Sequence, residues 1–469
     1  MKNITNTSYH ELDKKNNNSR IWLEGEPLTR AGFEPGGFYS MALNIDTLEA
    51  TMTFVADSPE ARKLWREKKL RKVSGRKMVG WVKPIIDVCN ADITQVFGPY
   101  GRFRAQAFSN GVITFSVHHE EFARVEREET FKANYKKGVI TKGDAFLGFG
   151  ISASGIKDGF AKTGIKTKQV WAVEMESRYL DIACKNSPET YRDAHLFAGK
   201  VEEIEPQLLD KVDAFSFSMP CTNHSLAGRT KKELSSAEEA DEVTALFGVR
   251  AIINATNPAI IFSENVPQAK ESSSYRILIK ELERRGYVCQ EMILDKTHSG
   301  SLERRQRYWF VAYSKGLALG DITVDTTAPI HTSFGDIMES EEEFTGLWHD
   351  VEKLKKRERK NIAEGRNFRM NFLTAESTEI KTLPRNITKH QISTPVIPNH
   401  DKSMYRLPTI TEHADIKRIP RHLVAHASAT VAHEGMGQSI VYFHAVGLAY
   451  ATAKKASAAL LGQHMLNLG

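Results

Sequence analysis

A chain of 469 residues is too long for one ordinary core and points to two or three domains. Its 41% hydrophobic and 26% charged content is that of a globular protein, and no apolar run reaches the roughly eighteen residues of a membrane span, so a cytoplasmic protein with no membrane partner is expected. The net charge of +6 permits a polyanionic partner without requiring one, and the four cysteines, Cys89, Cys184, Cys221 and Cys289, form no CxxC pair, which argues against a zinc site or disulfide framework.

The N-terminus, MKNITNTSYHELDKKNNNSR, is polar and Asn-rich and lacks the apolar stretch of a signal peptide, so residues 1–18 are expected to have no fixed structure. Residues 19–137 read as a β-rich accessory domain. Short alternating stretches are punctuated by Gly32, Pro35, Gly36 and Gly37, a charged linker with helical potential spans 58–72, and strands follow at 85–88, 103–108 and 112–117. The RIWLEG run at 20–25 and the AGFEPGGFY run at 31–39 resemble swapped-hairpin proteins of the SymE and AbrB kind, small β modules that often bind DNA.

From Gly138 the texture changes to apolar strands alternating with amphipathic helices, the pattern of an α/β, Rossmann-like doubly wound sheet over 138–318. Its first strand, 143–146, leads into Leu147-Gly148-Phe149-Gly150, and its second, 169–173, closes at Glu174-Met175-Glu176. An apolar run at 212–217 breaks at Pro220-Cys221, and another at 259–263 ends in Glu264-Asn265-Val266. Ligands bind at the carboxyl edge of such sheets, so a thiol and an acid on neighbouring strand ends make a candidate nucleophile and proton donor. A helix over 273–285 leads through Gly286 to Tyr287-Val288-Cys289, and the domain finishes with the run 304–312, which carries Arg305 and Arg307.

Residues 319–408 read as an irregular insert with an acidic run at 339–343 and a basic cluster of Lys353, Lys355, Lys356, Arg357, Arg359 and Lys360. Charge runs are usually solvated helix faces, but long irregular segments in compact proteins tend to be functional. Residues 409–469 are expected to complete the catalytic domain, ending in an apolar helix over 441–461 that packs back on the sheet.

Taken in order, these landmarks resemble the DNA cytosine-5 methyltransferases of prokaryotic or phage type. The resemblance covers about half the chain. It rests on Asp144-Ala145-Phe146-Leu147-Gly148-Phe149-Gly150, Pro220-Cys221, Glu264-Asn265-Val266, the Arg305 and Arg307 pair, Thr409-Ile410-Thr411-Glu412-His413-Ala414 and Gly437-Gln438-Ser439-Ile440. The chain departs from the family pattern at Ile151 where a Gly often follows, at Lys200 where an acid is usual, at Glu303 where a Gln is usual, and at Thr222-Asn223-His224 after the nucleophile.

The resemblance implies a Rossmann-like methyltransferase domain with a target recognition domain at 319–408, S-adenosyl-L-methionine as methyl donor, duplex DNA as substrate and no metal. It implies Cys221 as the nucleophile that adds to C6 of a flipped-out cytosine, Glu264 as the acid facing N3 and the exocyclic amino group, and Arg305 and Arg307 as the groups that hold the target's phosphate or carbonyl oxygen. The donor pocket implied is Phe146, Gly148, Phe149, Gly150, Glu174, Met175, Val201, Pro220, Leu246, Gln438 and Ser439. The Lys353 to Lys360 cluster would serve DNA phosphates. A monomer is expected, with a restriction endonuclease as a possible counterpart. Two alternatives stay open: cytosine in RNA as acceptor, and a DNA-binding regulatory protein whose methyltransferase fold does not turn over.

Overall fold

The computed structural model describes residues 3–220, 244–366, 369–390, 392 and 394–461. They form two compact units, Met1–Glu126 and Arg127–Gly469.

The first unit is antiparallel β. A six-stranded sheet has the order β1-β9-β10-β5-β4-β6, from β1 (Ile4–Glu11), β4 (Phe38–Asn44), β5 (Glu49–Val55), β6 (Arg71–Lys72), β9 (Arg102–Phe108) and β10 (Val112–Val117). A four-stranded sheet has the order β2-β3-β8-β7, from β2 (Asp13–Lys15), β3 (Asn18–Glu24), β7 (Ser74–Met78) and β8 (Trp81–Cys89). Alternating residues such as Ile21, Leu23, Phe103, Ala105, Ile113 and Phe115 face one shared core. The N-terminus corrects the expectation of an unstructured tail: Thr7 to Glu11 pair residue by residue with β9, so backbone pairing orders a polar segment that has no core of its own to bury. Helix Pro59–Arg66, inside the charged linker, starts at Ser58, whose hydroxyl accepts from the Ala61 amide at 3.0 Å.

The second unit is a seven-stranded sheet in the order β13-β12-β11-β14-β15-β18-β16. Its strands are β11 (Val139–Ala145), β12 (Lys166–Glu174), β13 (His195–Ala198), β14 (Ala214–Phe217), β15 (Ile260–Asn265), β16 (Tyr287–Leu294) and β18 (Arg307–Ser314); the short β17 (Glu303–Arg304) pairs elsewhere with Ile380–Lys381. Six strands share one direction, and β18 enters antiparallel between β15 and β16. Side chains alternate faces: Trp309, Val311 and Tyr313 join one apolar layer and Tyr308, Phe310 and Ala312 the other, so these strands read as continuous apolar runs. The order reverses between β11 and β14, and ligands bind at the carboxyl edge of such a switch point.

The C-terminal helix Tyr442–Leu461 packs on helix Ile151–Ala161 and shares one apolar cluster with Ile260, Phe262 and Val311 of the sheet. Gly155 and Gly159 permit this approach: a Cβ on Gly159 would lie 2.5 Å from the Val446 carbonyl oxygen. The segment read as irregular at 319–408 contains helix Glu352–Ala363 and a four-stranded sheet in which Met404–Arg406 and Pro395–Pro398 pair at the centre, flanked by His349–Asp350 and Asn371–Phe372. Its strands are only two to four residues long, too short to produce a visible alternation.

Candidate active site

The first strand ends at Ala145, one residue before the expected limit, because Phe146 takes φ +58° and leaves the sheet. Gly148 and Gly150 follow at φ +57° and +76°, and Gly150 caps helix Ile151–Ala161. Two hydrogen bonds close this turn onto β12: the Leu147 amide donates to the Val173 carbonyl at 3.1 Å, and the Gly148 amide donates to Glu174 Oε2 at 2.7 Å. Glu174 Oε1 accepts from the Glu176 amide at 2.9 Å. Burial raises the Glu174 pKa, with the amides of Glu176 and Gly148 pulling the other way.

Below the turn lies a buried polar cluster. Lys142 pairs with Asp144, and Ser216 donates to the same carboxylate. Burial lowers the Lys142 pKa against the pull of Asp144. The Tyr191 hydroxyl is buried with no hydrogen-bond partner among the described residues and occupies the space a Cβ on Gly150 would need. Gly150 is therefore required by its backbone angle and by the tyrosine under it.

Glu264 sits at the end of β15, and its Oε1 lies 2.8 Å from Nε of Arg307. Both are buried. Asn265 braces the neighbouring strand end: its amide donates to the Met219 carbonyl and to the Tyr275 hydroxyl, each at 3.1 Å. Pro220 is half-buried beyond Met219. Cys221, the expected nucleophile, lies outside the described residues, as do Thr222, Asn223 and His224.

Arg305 and Arg307 do not act as a pair. Arg307 turns to Glu264, whereas Arg305 donates to the carbonyls of Gly437 at 3.1 Å and Gln438 at 3.4 Å. These bonds tie the C-terminal segment to the end of β17. Glu303, the departure beside it, is fully buried; its Oε1 lies 3.6 Å from Arg305, its Oε2 lies 3.5 Å from Lys417, and the Leu383 amide donates to it at 2.9 Å. Burial alone would raise this carboxyl; Lys417, Arg305 and the amide outweigh it and hold it below the usual carboxylate range. Lys417 also donates to the carbonyls of Met436 at 2.6 Å and Ser439 at 3.0 Å. Nothing in the sequence links Glu303 to Lys417, which lie 114 positions apart.

The remaining residues of the expected donor pocket divide. Phe146, Gly148, Gly150, Glu174 and exposed Met175 lie together at the ends of β11 and β12. Gln438 joins them through Tyr179, to whose hydroxyl its side-chain amide donates at 2.9 Å. Phe149 is buried in the core, edge-on to Tyr179 at 5.1 Å and against Gly435. Val201 and Leu246 are buried in the apolar layer with Val249 and Phe217. The Ser439 hydroxyl is spent on the carbonyls of Met436 at 2.8 Å and Ile440 at 3.1 Å. Lys200 is exposed and starts the turn Val201–Glu203. The basic cluster lies on helix Glu352–Ala363, where Lys355, Arg359 and Lys360 meet Glu352 or Glu364, and Lys353 and Lys356 show no acidic partner among the described residues.

A parallel sheet with one reversed strand before its last, a glycine turn bound to an acid on the second strand, and a carboxylate at the end of the fifth define an S-adenosyl-L-methionine-dependent methyltransferase fold. The profile of the C-5 cytosine-specific DNA methylases matches residues 146–457, and the chain belongs to that family. It is 25% identical over 248 residues to the type II methyltransferase M.MspI of Moraxella sp, covering 52% of this chain and 56% of that protein. It is 24% identical over 221 residues to the type II methyltransferase M1.BsuMI of Bacillus subtilis strain 168, covering 43% and 50%. The chain thus spans about half the length of these curated relatives. Among solved structures, the Entamoeba histolytica methyltransferase EhMeth superposes with a TM-score of 0.53 at 15% identity, over 67% of this chain and 97% of that one. No helix among the described residues is long and apolar enough to cross a membrane.

Proposed function

We propose that this protein transfers a methyl group from S-adenosyl-L-methionine to C5 of cytosine in duplex DNA, with Cys221 as the transient nucleophile. The observation that carries the reading is the buried Glu264 and Arg307 pair at the carboxyl end of β15, on the same sheet as the turn that Glu174 holds closed. The turn fits the donor: Gly148 leaves open space beside its backbone, and Glu174 keeps lone pairs for the ribose hydroxyls after accepting from the Gly148 and Glu176 amides. The bound donor supplies an electrophilic methyl group.

C5 of cytosine is a weak nucleophile. A Cys221 thiolate that adds to C6 makes the ring electron-rich; the Glu264 carboxyl, held by Arg307, faces N3 and the exocyclic amino group and offsets the developing charge. C5 then takes the methyl group, loses its proton to solvent or a base, and the sulfur leaves as the C5–C6 double bond re-forms. The target base must leave the helix, at a cost of roughly a few kcal/mol. Residues 319–408 serve as the target recognition domain in this reading, with Lys353 and Lys356 on phosphates.

Bisulfite sequencing of DNA from cells expressing the protein, beside a Cys221→Ser control, tests this. Resistant cytosines in one sequence context, absent from the control, are expected, together with a stable adduct on duplex DNA containing 5-fluorocytosine. Identical conversion in both, from folded protein, overturns it and directs the search to RNA acceptors.

A further inference from the structure

Residues 58–83 hold ten Lys and Arg against two Glu, a net charge of +8, while the whole chain carries +6. The positive character of the protein is concentrated in this stretch of the first unit. All side chains from Arg62 to Lys69 and from Ser74 to Val82 are exposed. Few of the cations are neutralised: Arg62 pairs with Asp57, Lys69 with Glu67, and Arg76 and Lys83 share Glu24. Lys63, Arg66, Lys68, Arg71, Lys72 and Lys77 show no acidic partner among the described residues.

Exposed apolar side chains are interleaved with these charges. The β7–β8 hairpin turns at Val79-Gly80, with Gly80 at φ +81°, and presents Met78, Val79 and Trp81 at its tip, 45%, 99% and 51% exposed. Trp65, 43% exposed on helix Pro59–Arg66, lies under the Lys72 ammonium at 5.8 Å. A solvated helix face mixes both signs, and a charged edge strand protects against aggregation without needing an apolar tip. Neither explains a bare valine and tryptophan among cations.

We propose that this surface is a second duplex-DNA interface, separate from residues 319–408, in which the lysines contact phosphates and the tip of the β7–β8 hairpin enters a groove. A two-stranded ribbon fits the major groove, and apolar tips serve as wedges at base steps. The choice of DNA over other polyanions rests on the function proposed above. The surface supplies affinity and residence on DNA with little sequence information, which complements a recognition domain that must sample many sites.

The test uses the full chain and a duplex of about thirty base pairs, with binding followed by fluorescence anisotropy across a salt series. A Lys63→Gln, Lys68→Gln, Lys72→Gln, Lys77→Gln variant is expected to bind at least about tenfold more weakly at moderate salt, with the slope of log K against log salt reduced by about 3. Trp81→Ala is expected to weaken binding about tenfold with the slope unchanged. Methyl transfer at saturating DNA keeps the wild-type kcat in both variants while KM rises. Wild-type affinity and slope in the quadruple variant overturn the proposal and leave the methyltransferase reading standing. Duplex binding that depends on these residues in a protein that methylates no cytosine does the reverse. Tighter binding of the unit's lysines to duplex RNA, or to phosphatidylserine vesicles, than to duplex DNA also overturns it.

Discussion

At the scale of single residues, the site is governed by what replaces a neutral amide at position 303. A buried carboxylate there brings a charge that must be matched, and Lys417 supplies it while holding two carbonyls of the C-terminal segment. Burial lowers the Lys417 pKa well below the usual range, with Arg305 adding to the effect and Glu303 opposing it. Removing one member leaves the other buried without compensation. Glu303→Gln is expected to destabilise the protein by about 3 kcal/mol, and Lys417→Met by a similar amount because the Met436 and Ser439 carbonyls also lose their donor. The double variant is expected to lose less than the sum, with a coupling energy of about 1–3 kcal/mol in a double-mutant cycle from urea denaturation. Additive losses would mean that the two charges do not interact and that Glu303 answers only to Arg305.

At the scale of elements, the glycine turn, helix Ile151–Ala161 and the C-terminal helix act as one body, since Gly155 and Gly159 let the two helices meet at backbone distance. A methyl group on Gly159 would meet the Val446 carbonyl at 2.5 Å and the Tyr450 amide nitrogen at 2.9 Å, backbone atoms that cannot rotate away. Gly159→Ala is expected to cost about 1–3 kcal/mol in stability and to weaken S-adenosyl-L-methionine binding measured by calorimetry, because helix Ile151–Ala161 begins at the turn. Unchanged affinity would separate the turn from the packing behind it. Elements of this kind were legible where their residues are local: the strands leading to Phe146, Glu174, Pro220 and Glu264 show as apolar runs, and their strand-end residues converge as the runs require. Three things were not. The reversed direction of β18 depends on pairing between segments that look alike in either orientation. The inward turn of Phe149 depends on Tyr179 and Gly435, far along the chain. The order at Thr7 to Glu11 depends on β9, with no apolar pattern of its own.

At the scale of the second unit, acid stability follows from its buried imidazoles. His413 and His433 meet Nδ1 to Nδ1 at 2.9 Å, so one donates and the other accepts, and the accepting ring cannot take a proton on Nδ1 without losing the bond. Burial pushes His433 from 6.5 to about 4, with Glu412 opposing, and pushes His413 well down, helped by His433, Lys417 and Arg305. Burial takes His444 to about 4 as well, against the pull of the Asp295 carbonyl it meets at 2.8 Å. In the unfolded chain these rings titrate near 6.5. Above that pH both states hold them neutral and stability is flat; as pH falls from about 6.5 towards 4 the unfolded state binds protons that the folded state refuses, and stability is lost. Each ring contributes about 1.4 kcal/mol per pH unit in that window. Urea denaturation between pH 7.5 and 5 should therefore show a plateau followed by a steep decline, and His433→Asn should reduce the slope of that decline. Because His413 and His433 join helix Ile410–Ile416 to helix Ala429–Gln438, which ends at Gln438 beside the donor turn, donor affinity is expected to fall in the same pH window before global unfolding. A stability curve that stays flat to pH 5 would show that the two rings already share a proton in the folded state.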